Sequence, residues 1–140
     1  MKQVISIALL MAAAGAGAAS IRAAEAHHAM VMYDRLRTVT LTGTVVELQW
    51  TNPHVFLLVN GKLDDDDQPD VWRLETSAPS NLTRVGGWTA TALKPGDRVR
   101  VEINLLREGT QKAARLTKVT VIDTGQVLGT QYLDLDLRAQ

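Results

Sequence analysis

The chain has 140 residues, 46% of them hydrophobic, and its 15 basic side chains balance its 15 acidic ones. That balance excludes a dedicated nucleic-acid binder, which needs a basic footprint, and no basic amphipathic segment marks a membrane-surface helix. There is no cysteine, which excludes disulfides and a lipid-anchoring thiol and leaves an apolar core to hold the fold.

The first 26 residues read as a targeting segment. Lys2 supplies a positive start, residues 4–19 are apolar and uncharged, and the stretch that follows is built mainly of small residues. This is the order of a cleavable secretory signal. Its apolar run falls short of the roughly 20 residues that a spanning helix needs. Ala24-Glu25-Ala26 fits the small-x-small cleavage rule and makes His27 the first mature residue, with cleavage after Ala18 or Ser20 the weaker alternative. The remainder is about one domain's worth of chain, enough for a core. Without Lys2, Arg22 and Glu25 it carries about one net negative charge. The expected organisation is a signal peptide at 1–26, a lead-in at 27–37, a domain at 38–122 and a C-terminal hairpin or tail at 123–140.

Residues 38–50 are dense in Thr and Val and lack Pro, as a strand requires. Their apolar phase shifts. Val39, Leu41 and Val45 share one face, whereas Val46, Leu48 and Trp50 share the other, and Gly43 lies just before the change. A glycine beside a phase change predicts a bulge or sharp bend. Asn52-Pro53 marks a turn. Residues 54–59 form a second strand, and 60–70 a loop that holds Gly61, Pro69 and the run Asp64-Asp65-Asp66-Asp67. Four adjacent acids lack the alternate spacing of a calcium loop, so they read as a solvated loop.

Residues 71–76 form a third strand, with Trp72, Leu74 and Thr76 opposite Arg73 and Glu75. A short helix is predicted over 77–85, opened by Ser77 and Pro79 and ended by Gly86-Gly87. Lys94-Pro95-Gly96-Asp97 is a turn. Residues 98–105 alternate cleanly, and 113–122 form a strand with a phase slip near Thr117-Lys118. Three strands, a helix and two strands give the order of a small five-stranded OB-like barrel, mainly β, with its one short helix between the third and fourth strands; a five-stranded open sheet or another small barrel is the alternative.

Several of these segments resemble a family. They are Ala26-His27-His28, Leu41-Thr42-Gly43-Thr44-Val45, Trp50-Thr51-Asn52-Pro53-His54-Val55, Trp72-Arg73-Leu74-Glu75, Pro79-Ser80-Asn81-Leu82, Gly87-Trp88 and Leu93-Lys94-Pro95-Gly96-Asp97. Together the chain resembles an uncharacterised group of small exported proteins of Gram-negative bacteria, catalogued as a domain of unknown function. Members continue the His-His start with Ser-Phe, where this chain has Ala29-Met30. The resemblance implies an exported small β-barrel and supplies no established activity.

The chain has three His. After cleavage at Ala26, His27 carries a free α-amine beside its imidazole, and these two nitrogens can chelate one metal ion. A third nitrogen completes a donor set that suits Cu(II). His54 offers the one imidazole outside the mature start, and His28 is the other candidate. Against this, His54 also reads as a turn-flanking residue packed beside Trp50. The aromatics Trp50, Trp72, Trp88, Phe56 and Tyr33 can form a stacking platform or pack as core; without a basic groove they read as packing with a Trp at the rim.

Enzyme chemistry has little to stand on. Only His54 serves as an internal base, no Ser sits in a nucleophile frame, and Glu75 or Asp97 are the acids available to assist it. Asn81-Leu82-Thr83 matches a glycosylation sequon without further support. The leading expectation is a periplasmic binding or accessory module with its ligand face near Trp50, His54 and Trp72. Its partner would be a small molecule, a metal or a periplasmic protein, with no nucleic acid and no stable membrane anchor. The second expectation is a copper or other transition-metal binder through His27 and His54, with His28 available. The third is an enzyme of unrecognised type.

Overall fold

The computed structural model describes residues 32–65, 68–85 and 87–130. The unit described below begins at Tyr33. Its strands are β1 (Tyr33–Gln49), β2 (Phe56–Leu63), β3 (Asp70–Glu75), β4 (Arg98–Leu106), β5 (Ala113–Val121) and β6 (Val127–Gly129). One helix, α1 (Pro79–Val85), lies between β3 and β4, as the sequence predicts. The expected signal segment, with His27 and His28, lies outside the described residues, as do Asp66 and Asp67.

The expectation of a five-stranded OB-like barrel is not met. The strands form one six-stranded sheet in the order β3-β2-β1-β4-β5-β6, with an additional parallel pairing of β3 to β5 at Arg73↔Ala113, Leu74↔Ala114 and Glu75↔Arg115. The sixth strand comes from the segment expected to be a hairpin or tail. Gly125, at φ +73°, reverses the chain after β5, and its N–H donates to the Val121 carbonyl at 2.8 Å. Leu128 is then fully buried, and Trp88 Nε1 donates to the Gly129 carbonyl at 2.9 Å. Burial of one leucine and a tryptophan bond thus commit this segment to the sheet.

Several further boundaries differ from expectation, and β2 starts at Phe56, so His54 precedes the strand that was expected to begin with it. β1 begins at Tyr33 rather than residue 38, so part of the expected lead-in is strand. β2 runs on through Gly61 to Leu63 instead of ending at residue 59. Gly61 reads as a loop signal in the sequence, but it stands opposite Gly43 in the ladder.

Both phase slips are bulges. The β1–β2 register shifts between Val45 and Glu47, leaving Val46 as the extra residue and exposed. The β4–β5 register shifts at Glu102/Ile103, leaving Thr117 as the extra residue on β5. The core lies on the inward face of the sheet: Leu41, Val59, Leu74, Val101, Ile103 and Leu116 are all fully buried. Leu82 of α1 and Trp88 pack into it from the β3–β4 connection.

Candidate functional site

β3 alternates as its sequence predicts, with Trp72 and Leu74 buried and Arg73 exposed. Glu75, of opposite parity to Trp72, therefore emerges on the face away from the core. Val55 is fixed beside the end of β3 by two backbone bonds, to Ser77 O at 3.0 Å and from Thr76 N at 2.9 Å. That pairing sets the neighbouring residue, His54, next to Glu75. The peptide bond before Pro53 is cis, and Thr51 Oγ1 donates to the His54 carbonyl at 3.0 Å.

Three side chains meet there. His54 Nδ1 pairs with Glu75 Oε1. The Tyr33 hydroxyl donates to the other carboxylate oxygen, Oε2, at 2.7 Å. Tyr33 is in turn held from behind, because Arg107 Nε donates to its carbonyl at 3.1 Å. Burial pushes the Tyr33 hydroxyl above the usual phenol range, and the Glu75 bond and charge add to the rise; Arg73 and Arg115 oppose it. The His54 side chain is 32% exposed and that of Glu75 20%. The site is thus a half-buried imidazole whose Nδ1 is committed to a carboxylate, leaving Nε2 as its free ring nitrogen.

Arg73 borders this face, its guanidinium carbon 3.5 Å from the centroid of the Phe56 ring. Phe56 pairs with Glu75 across β2 and β3. Of the two acids available to His54 in the sequence, Glu75 takes the role. Asp97 instead closes its own turn, accepting from Lys94 N at 2.8 Å.

The expected ligand face divides. Trp50 is half-buried against the core edge, His54 is half-exposed, and Trp72 is buried at 4% exposure on the opposite face of β3 from Glu75. Trp88 is buried at 1% exposure and Tyr33 at 9%. The structure brings no aromatic platform together from these residues. Asp64 and Asp65 are exposed in the turn after β2. Among the described residues no three His, Cys, Asp or Glu side chains converge as a metal cluster. Nor is any helix among them long and apolar enough to cross a membrane.

Sequence reasoning named Tyr33 only as an aromatic and missed its part in the site. The signal was weak, because the Tyr33–Glu75 contact spans 42 residues and depends on where β1 starts.

A family model described as a family of unknown function (DUF6152) matches residues 16–115. That is well over half of the chain. The chain belongs to the DUF6152 family. The match to DUF6152 covers both the Trp50–Val55 and Leu93–Asp97 segments and the residues of the His54–Glu75 pair. No curated protein and no solved structure matches the chain.

Proposed function

We propose that this DUF6152 member is an exported binding or accessory module of the periplasm whose ligand-facing centre is His54. One observation carries the reading: Glu75 holds Nδ1 of the half-exposed His54 and is itself held by Tyr33, which leaves Nε2 as the ring nitrogen not committed to Glu75. The target is a small molecule, a metal or another periplasmic protein.

The same observation favours a second reading, transition-metal binding, with Cu(II) as the first candidate. Metal-binding imidazoles ordinarily give their second nitrogen to a carboxylate, which fixes the tautomer and raises ligand basicity. His54 supplies one donor. The further donors the sequence offers are His27, with its α-amine after cleavage at Ala26, and His28. An enzyme reading draws on the same imidazole–carboxylate pair as a base; the Thr51 hydroxyl beside it bonds the His54 main-chain carbonyl rather than the ring.

Protein recovered from the periplasm, with its N-terminus sequenced and its metal content measured, separates the readings. Copper bound to a chain that starts at His27, with Cu(II) uptake in calorimetry lost in both His27→Ala and His54→Ala, supports the metal reading. Uptake indifferent to both substitutions overturns it. For a metal-free protein, the module reading expects a crosslinked partner whose capture is lost in His54→Ala; capture unchanged by that substitution overturns it.

A further inference from the structure

The outward side of the sheet changes character from one strand pair to the other. On β4 and β5 it is charged, with Arg98 and Arg100 exposed and Lys118 paired to Glu102. A solvated antiparallel face ordinarily looks like this. On β2 and β3 the same side is apolar. Leu57 and Val59 of β2 point into the core, so Phe56 and Leu58 stand outward, half-buried. Val71 of β3 is 48% exposed, and Val46, the extra residue of the β1 bulge beside Leu58, is 42% exposed. Arg73 lies among them. It stands opposite Leu58 in the ladder, and its guanidinium reaches across onto the Phe56 ring, one rung nearer to Glu75 and His54. The acids of this face are already engaged: Glu75 by His54 and Tyr33, and Glu47 by Gln49 Nε2 at 2.9 Å. Among the described residues no acid pairs with Arg73, although it is exposed.

We propose that this face, next to His54, binds a small amphiphilic carboxylate, its head on Arg73 and its apolar chain over Leu58, Val71 and Val46. The inference rests on the module reading, since it names the ligand class of the His54 face. Single exposed apolar side chains need no explanation, but several gathered on one face mark a binding surface. A guanidinium stacked on a ring keeps its N–H edge for an anion, and the stacking fixes it in place before the anion arrives. A carboxylate can take two of those N–H groups at once. One uncompensated cation between two engaged carboxylates suits a single negative charge. A dianion such as phosphate would meet the charges of Glu47 and Glu75 as well.

The probe is hexanoate, followed in nitrogen–proton and methyl spectra of the isotopically labelled chain in whichever processed form the cell accumulates. The expected result is a saturable shift of the Arg73 Nε–H, Leu58 methyl and Val71 methyl signals. Val127, an exposed valine on β6, should stay unmoved. Arg73→Gln should raise the midpoint about tenfold, the scale of one charge-assisted hydrogen bond. Hexan-1-ol, similar in size and uncharged, should bind correspondingly more weakly. Val71→Ser, at an exposed position, should raise the midpoint about threefold. Shifts that do not saturate, equal movement of Val127, an unchanged midpoint in Arg73→Gln or Val71→Ser, or an equal response to hexan-1-ol overturns the proposal. The two readings fail separately. No hexanoate binding, with partner capture still lost in His54→Ala, overturns the ligand class and keeps the module. Saturable, Arg73-dependent binding, with capture indifferent to His54→Ala, supports the ligand class and removes His54 as the module's centre.

Discussion

Gly43 and Gly61 stand opposite each other across β1 and β2 with no room for a side chain on either. A Cβ on Gly43 would lie 2.3 Å from the Asn60 carbonyl oxygen and 2.5 Å from the Gly61 Cα. A Cβ on Gly61 would lie 2.6 Å from the Thr42 carbonyl oxygen. These obstacles are backbone atoms, which cannot swing aside as a side chain would. Gly43→Ala and Gly61→Ala should therefore each destabilise the fold by about 1–3 kcal/mol, the range of overpacked sites. Urea unfolding measures this, and because one backbone contact is shared, the double variant should cost less than the sum. Strict additivity would mean that the strands do not approach each other here as described.

This pair also shows how far the sequence could be read. Gly43 is legible because an apolar phase change follows it, and the bulge does fall within three residues, at Val46. Gly61 is not legible. Beside Pro69 and the acidic run it has the composition of a loop, and only its partner across the ladder explains it. The short helix, the turn at Asp97 and the slip near Thr117 were all readable, because turn chemistry and periodicity are local. β6 was legible only as a hairpin-or-tail alternative after residue 123: three residues carry no period, and the burial of Leu128 in the core is not visible in them. At the site, His54 and Glu75 could be nominated but not joined, and the role of Tyr33 depends on a contact far away in the chain.

The bulge on β5 makes its own prediction. Thr117 is buried at 2% exposure, and its Oγ1 donates to the Glu102 carbonyl at 2.9 Å, where the ladder register breaks. Its carbonyl accepts from Thr130 N and from Thr130 Oγ1, each at 3.0 Å. Thr117→Val keeps the shape and removes the donor, leaving a carbonyl short of its partner. A loss of about 1–2 kcal/mol is expected in chemical denaturation. Thr83→Val, on the exposed face of α1, removes a bond to the Pro79 carbonyl that water can replace, and should change stability by less than about 0.5 kcal/mol. Equal losses in the two variants would remove the bulge argument.

Tyr33 gives a pH dependence with a definite sign. In the folded state its hydroxyl ionises above the ordinary phenol value of 10.0, mainly because it is buried and secondly because it donates to Glu75. Above pH 10 the unfolded chain releases this proton while the folded chain keeps it, so stability falls as pH rises further. Below pH 10 both states hold the proton, and the contribution is fully present and flat. Ultraviolet titration of the wild-type chain should show a late-ionising tyrosine that Tyr33→Phe abolishes. The variant should also lose about 1 kcal/mol at neutral pH, the worth of one hydrogen bond. A Tyr33 that titrates in the ordinary phenol range would place its hydroxyl in water rather than on Glu75.

The support beneath His54 is testable without any ligand. When the imidazole is neutral, a proton on Nδ1 satisfies the Glu75 carboxylate and leaves the lone pair on Nε2. Nitrogen-detected spectra of the ring should therefore show the Nδ1–H tautomer at high pH. Glu75→Ala should shift the ring toward the Nε2–H form, because nothing then holds the proton on the inner nitrogen. Tyr33→Phe should leave the tautomer in place, since the phenol bonds the far oxygen of the carboxylate and never touches the imidazole. A neutral His54 protonated on Nε2 in the wild-type chain would turn its donor face outward, and neither a metal nor any other electron-pair acceptor could then use that nitrogen without displacing a proton.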